Sequence, residues 1–126
     1  MYVETLSGTV AGFPRNSGII RIVYDIPSGI QGPEHPFPGQ PFSGTIREAF
    51  LPNTDEGKKC LRLLRRAFDQ RLTFQVGTSL TTGRHNTITW TSIHHKTSLH
   101  GGPFGFPDDT YFLRVYDELE QKAIRE

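Results

Sequence analysis

The stretch WTSIHHKTSLHGGPFGFPDD, Trp90 to Asp109, gathers the only tryptophan, three of the five histidines and three of the thirteen glycines of the chain. A histidine titrates near neutrality and can carry a proton or hold a metal. An indole is a platform on which a base or a nicotinamide ring can stack, although Trp90 is most simply a core aromatic. Adjacent histidines on a regular element point in different directions, so His94 and His95 cannot both face one ligand unless the backbone turns between them. Zinc does not suit them. His94, His95 and His100 match no known ligand spacing, and no acid or thiolate is clustered beside them. The run GGPFGFPDD reads as a turn in which Gly105 permits close approach and Pro107 and Asp108 set the cap of the helix that follows.

Two further groups belong to the same chemistry. TSLTTGR places the hydroxyls of Ser79, Thr81 and Thr82 and the loop amides around Gly83, which can hold a phosphate without lysine-rich surroundings. Near the C-terminus, Tyr111, Val115 and Glu118 share one stripe of a helix, whereas Asp117 and Glu120 point elsewhere. A carboxylate on an inward stripe either reaches solvent at the stripe's edge or faces a cleft, where partial burial tunes its proton affinity. Hydroxyl loop, tryptophan, histidine pair and aromatic-glycine turn together suit a cleft for a flat polar ligand such as a nucleotide.

The elements that must position these residues read as one α+β domain spanning residues 1–126, with mixed strands, two main helices and long ordered Pro/Gly-rich loops. SGIIRIVYDIP is a strand with Ile20, Ile22 and Tyr24 on one face. SGIQGPEHPFPGQPFSG is too rich in proline and glycine for a regular element to run through it, and its place between strands favours an ordered loop. TIREAFLP is a second strand. NTDEGKKCLRLLRRAFDQRL is a helix, capped by Asn53, Thr54 or Asp55, with Leu61, Leu64 and Phe68 inward and its arginines on a solvated face. LTFQVG and NTITW are strands flanking the hydroxyl loop, and DDTYFLRVYDELEQKA is the last helix.

Composition narrows the function classes. Fourteen basic and thirteen acidic side chains leave a net charge of +1, too small a field to hold a nucleic-acid backbone or an anionic membrane broadly. Cys60 is the sole cysteine, which rules out an internal disulfide and suits a reducing compartment, cytosol or nucleus. No apolar run approaches the ~20 residues that span a bilayer.

The ordered set GIQGPEHPFPG, REAFLPNTDEGKKCLRLLRRAFDQRLTFQVGTSLTTG, ITWTSIHHKT and GFPDDTYFLRVYDEL resembles the C-terminal domain of the Deltex family of RING-type ubiquitin ligases, from about Ser17 to about Lys122. The resemblance implies an α+β domain that binds ADP-ribose and NAD, with no other cofactor. It also implies a neighbouring RING domain that recruits a ubiquitin-loaded conjugating enzyme. The pair would join the ubiquitin C-terminus to a ribose hydroxyl of ADP-ribose, whether free, within NAD, or attached to a protein or nucleic acid. On this resemblance Ser79, Thr81, Thr82, Gly83, Trp90 and His95 line the nucleotide pocket, the turn residues Phe104, Gly105 and Phe106 close it, and Arg47 and His35 match other recurrent positions. Glu118 matches the acid that serves as general base on the ribose hydroxyl.

Two departures qualify the likeness. Some Deltex members carry histidine where this chain has Phe104, and tyrosine is common at Phe106; phenylalanine cannot move a proton. One cysteine cannot build the two zinc sites of a RING, so this chain alone is not expected to be a ubiquitin ligase. The expected function is therefore an ADP-ribose and NAD binding module that works beside a RING. A stand-alone nucleotide-processing enzyme would also explain the histidines, and a protein-interaction module without ligand would explain the Pro/Gly-rich loop.

Overall fold

The computed structural model describes all residues, 1–126. Its centre is the antiparallel pair β2 (Ile19–Ile26) and β5 (Thr45–Pro52), with β1 (Tyr2–Leu6) on the far side of β2. The expected strand face holds: Ile20, Ile22 and Tyr24 are buried, while Arg21 on the opposite face bridges Glu4 and Glu48 at 2.7 and 2.9 Å. β1 is absent from the sequence reading. YVETL buries none of its residues fully, so its pattern is weak and its pairing with Tyr2 opposite Val23 supplies what periodicity does not.

The Pro/Gly-rich segment is ordered by its own backbone. The two-residue strands β3 (Gly29–Ile30) and β4 (Pro41–Phe42) pair, and Gln31 both accepts from Gly39 and donates to the Gln40 carbonyl. α1 (Asp55–Asp69) starts at Thr54, whose hydroxyl accepts from the Gly57 amide at 3.1 Å. Its deepest residues are Cys60, Leu63, Leu64 and Ala67, so Leu61 and Phe68 flank the buried face instead of centring it.

β6 (Phe74–Gly77) and β7 (Thr87–Trp90) form a separate ribbon in which Phe74 faces Trp90. The residues after β7 run irregularly across the end of β5, where the Lys96 carbonyl accepts from the Phe50 amide at 2.8 Å. α2 (Tyr111–Gln121) then packs Tyr111, Val115 and Leu119 into the core shared with α1 and the sheet. Thr110 begins α2 without a side-chain cap; Asp108 does the capping from just upstream, accepting from the Thr110 amide at 3.2 Å. No helix is long and apolar enough to cross a membrane.

Candidate functional site

Tyr24 projects from β2 into a cluster of rings contributed by four other segments: Phe68 and Phe74 at 5.1 Å, His95 at 5.4 Å and Trp90 at 5.9 Å between centroids. Within it Phe74, Trp90 and His95 form a column, each neighbour 4.6 Å from the next with planes tilted by about a third of a right angle. This column lies between two hollows. The first, of about 530 Å³, is lined by Arg47, Thr78, Ser79, Leu80 and Thr81 together with Phe74 and Trp90. The second, of about 300 Å³, is lined by Trp90, Ile93, His94, His95, Thr97 and Phe104. Trp90 is their shared wall.

The two histidines divide by environment. His95 is buried, its Nδ1 is 3.0 Å from the Ile93 carbonyl and its Nε2 is 2.8 Å from the Tyr24 hydroxyl. A carbonyl only accepts, so Nδ1 carries the hydrogen and Tyr24 donates to Nε2. Burial is the main reason its pKa falls to about 4, which keeps the ring neutral at pH 7. His95 thus borders the second hollow by its ring, and neither nitrogen is free to bond a ligand. His94 is the reverse. Its ring is exposed, its amide donates to Glu118 Oε1 at 2.9 Å, and its Nδ1 is 2.5 Å from Glu118 Oε2. The Tyr111 hydroxyl donates to the His94 carbonyl at 2.9 Å.

Glu118 therefore leans inward as its stripe requires, with a side chain 20% exposed, but both its oxygens meet His94. A carboxylate on Nδ1 fixes the tautomer that leaves Nε2 with its lone pair, the form in which an imidazole accepts a proton. Of the two neighbours, the one with a ring nitrogen open to a ligand is His94 and not the expected His95. β7 ends at Trp90, so strand alternation could not be carried to residues 94 and 95.

The other expected positions separate. In the hydroxyl loop the Ser79, Thr82, Gly83 and Arg84 amides close the turn on itself, to Arg84 O, Ser79 Oγ, Ser79 O and Thr82 Oγ1. Gly83 is required by its φ of +71°, since nothing stands within 4 Å of an added Cβ. The side chains of Ser79, Thr81 and Arg47 remain as the polar lining of the first hollow, while Thr82 and Gly83 lie outside it. Gly105 allows a close approach, a Cβ there falling 2.2 Å from the Gly101 carbonyl oxygen. Phe104 is exposed beside the second hollow, but Phe106 is 1% exposed, packed edge-on to Phe13 and Tyr111, and so is a core residue and not a contact for ligand. His35 is also set apart: it accepts from the Gly32 amide and lines a different hollow with Glu34 and Arg71.

Comparison with known proteins gives this arrangement a family. The Deltex C-terminal domain matches residues 1–124. The human probable E3 ubiquitin-protein ligase DTX3 is 60% identical over 109 residues, 85% of this chain and 31% of that protein. The human E3 ubiquitin-protein ligase DTX1 is 48% identical over 130 residues, all of this chain and 21% of that protein. Mouse DTX4 is 48% identical over 111 residues, 85% of this chain and 18% of that protein. The chain thus spans less than a third of the length of these relatives. The column of rings, the hollows on either side of it and the acid-backed histidine stand on a domain whose sequence matches from end to end, and the chain belongs to the Deltex C-terminal domain family.

Proposed function

We propose that the groove on either side of Trp90 binds ADP-ribose and NAD, and that the domain presents the ribose for ubiquitin transfer by a RING-bound conjugating enzyme. The observation that carries this reading is the shared wall. Trp90 joins a hollow bearing hydroxyls and a guanidinium to one bearing a base, within the size range of small-ligand sites. The diphosphate sits against Ser79, Thr81 and Arg47, where charge-assisted bonds are available. A ribose hydroxyl meets His94 Nε2. In the transfer step this nitrogen takes the hydroxyl proton as the oxygen attacks the ubiquitin thioester and the enzyme's thiolate leaves; Glu118 stabilises the imidazolium that results.

Calorimetric titration of the purified domain tests the binding half. ADP-ribose and NAD are expected to compete for one site, with AMP weaker and with a shallow salt dependence, because few charges are neutralised. No heat with any of the three, or amide resonances that move far from residues 78–97, overturns it. For the transfer half, Glu118→Gln in a fusion to a Deltex-type RING is expected to keep ADP-ribose affinity while transfer falls by ~10²–10⁴-fold. Transfer at the parental rate removes Glu118 and His94 from the chemistry.

A further inference from the structure

Lys96 is a charged residue in a place that does not require one. Its side chain is 3% exposed, and its ammonium reaches Asp108 Oδ2 at 2.6 Å and the Pro103 carbonyl at 3.2 Å while lying 5.3 Å from the centre of the Tyr111 ring. Asp108 is held in turn by both terminal nitrogens of Arg114, at 2.7 and 3.0 Å. A buried ion pair is a poor source of stability compared with apolar side chains of the same volume, because desolvation offsets most of its attraction. What such a pair supplies is a fixed separation between the segments that carry it.

Here those segments are the two sides of the second hollow. Lys96 is two residues from His94, and the Pro103 carbonyl and Asp108 bracket Phe104, the exposed ring that lines that hollow together with His94 and Trp90. The same turn is tied back by Ser98 to the Phe104 carbonyl at 3.0 Å and by Gly101 to the Phe106 carbonyl at 2.9 Å. We propose that Lys96 and Asp108 are positioning residues that set the width of the hollow between Trp90 and Phe104, so that ligand affinity depends on this pair more than folding does. The proposal rests on the reading of the groove as an ADP-ribose site.

Lys96→Met tests it, with Lys96→Met/Asp108→Asn as the companion that leaves no lone buried charge. Both are expected to unfold cooperatively, to bind ADP-ribose at least about tenfold more weakly, and to do so because Phe104 is misplaced. In a Phe104→Ala background the same substitution is then expected to cost less than about threefold, since the coupled step is already lost. Affinity within threefold of the parent in a folded variant overturns the proposal, as does an equal loss in both backgrounds. Hydrogen exchange of the ligand-free protein separates this from the binding reading. Freed of the pair, the Ser98, Gly101 and Gly105 amides are expected to exchange at least about tenfold faster while those of β2 and α1 do not change. Uniform exchange across the domain sinks the positioning role whether or not ADP-ribose binds. Faster local exchange in a domain whose parent binds no ADP-ribose leaves the pair in place and sinks the binding reading alone.

Discussion

The two sides of the groove are built in opposite ways. Around Trp90 and His95 the rings pack against Tyr24 and Phe74, and the His95 ring is held at both nitrogens, by the Tyr24 hydroxyl and the Ile93 carbonyl, so the shape exists before any ligand arrives. Around Ser79 to Arg84 the chain is exposed and bonds only to itself within a few residues. A rigid wall fixes orientation, and a self-contained turn supplies polar side chains that can be exchanged without disturbing the core. The contrast predicts that removing the packed ring of His95 is felt as lost stability and removing a side chain of the loop as lost affinity.

The largest effect is expected at His95. His95→Leu strands the Tyr24 hydroxyl and the Ile93 carbonyl, two buried groups whose unmet bonds cost about 1–3 kcal/mol each, for a loss of about 4 kcal/mol in urea unfolding. A loss under ~1 kcal/mol would erase the distinction between the two sides. Acidification probes the same ring without mutation. The folded pKa of about 4 lies below the unfolded value of 6.5, so the unfolded chain binds the proton first. Stability is then complete above pH 6.5 and falls between there and pH 4, by on the order of 3 kcal/mol. His95→Gln should flatten that window. Asp108, held well below the usual carboxylate range by Arg114 and then Lys96, adds its own loss only as the pH drops beneath about 4.

Smaller changes are expected on the loop side. Gly83→Ala forces a side chain into a positive φ and is expected to cost about 1 kcal/mol of stability, read by the same unfolding curves. Ser79→Ala is expected to leave stability within ~0.5 kcal/mol and to weaken ADP-ribose about fivefold, the worth of one hydrogen bond. If Ser79→Ala destabilised the domain as much as His95→Leu, the loop would belong to the core after all.

Which of these features the sequence disclosed follows from how far their causes lie along the chain. β2, β5, both helices and the β6–β7 ribbon declare themselves through alternation and helical spacing, signals carried within a few residues. The inward lean of Glu118 was legible for the same reason. The division of labour between His94 and His95 was not, because it is decided by Glu118 at a separation of 24 residues and by Tyr24 at a separation of 71. Phe106 reads as a pocket residue of the glycine turn until Phe13 and Tyr111 close over it. Lys96 carries no mark of burial at all, since nothing in HHKT announces that Asp108 will be folded against it.

Trp90 is the only tryptophan in the chain, and it stands in the wall between the two hollows. The domain therefore carries its own optical reporter. Light absorbed at the red edge of the protein spectrum is emitted from that one indole, so a molecule entering either hollow alters the environment of the whole signal. Titration by intrinsic fluorescence needs no label, and the sense of the spectral shift tells a stacked ring, which excludes water from the indole, from a phosphate that only orders the loop beside it.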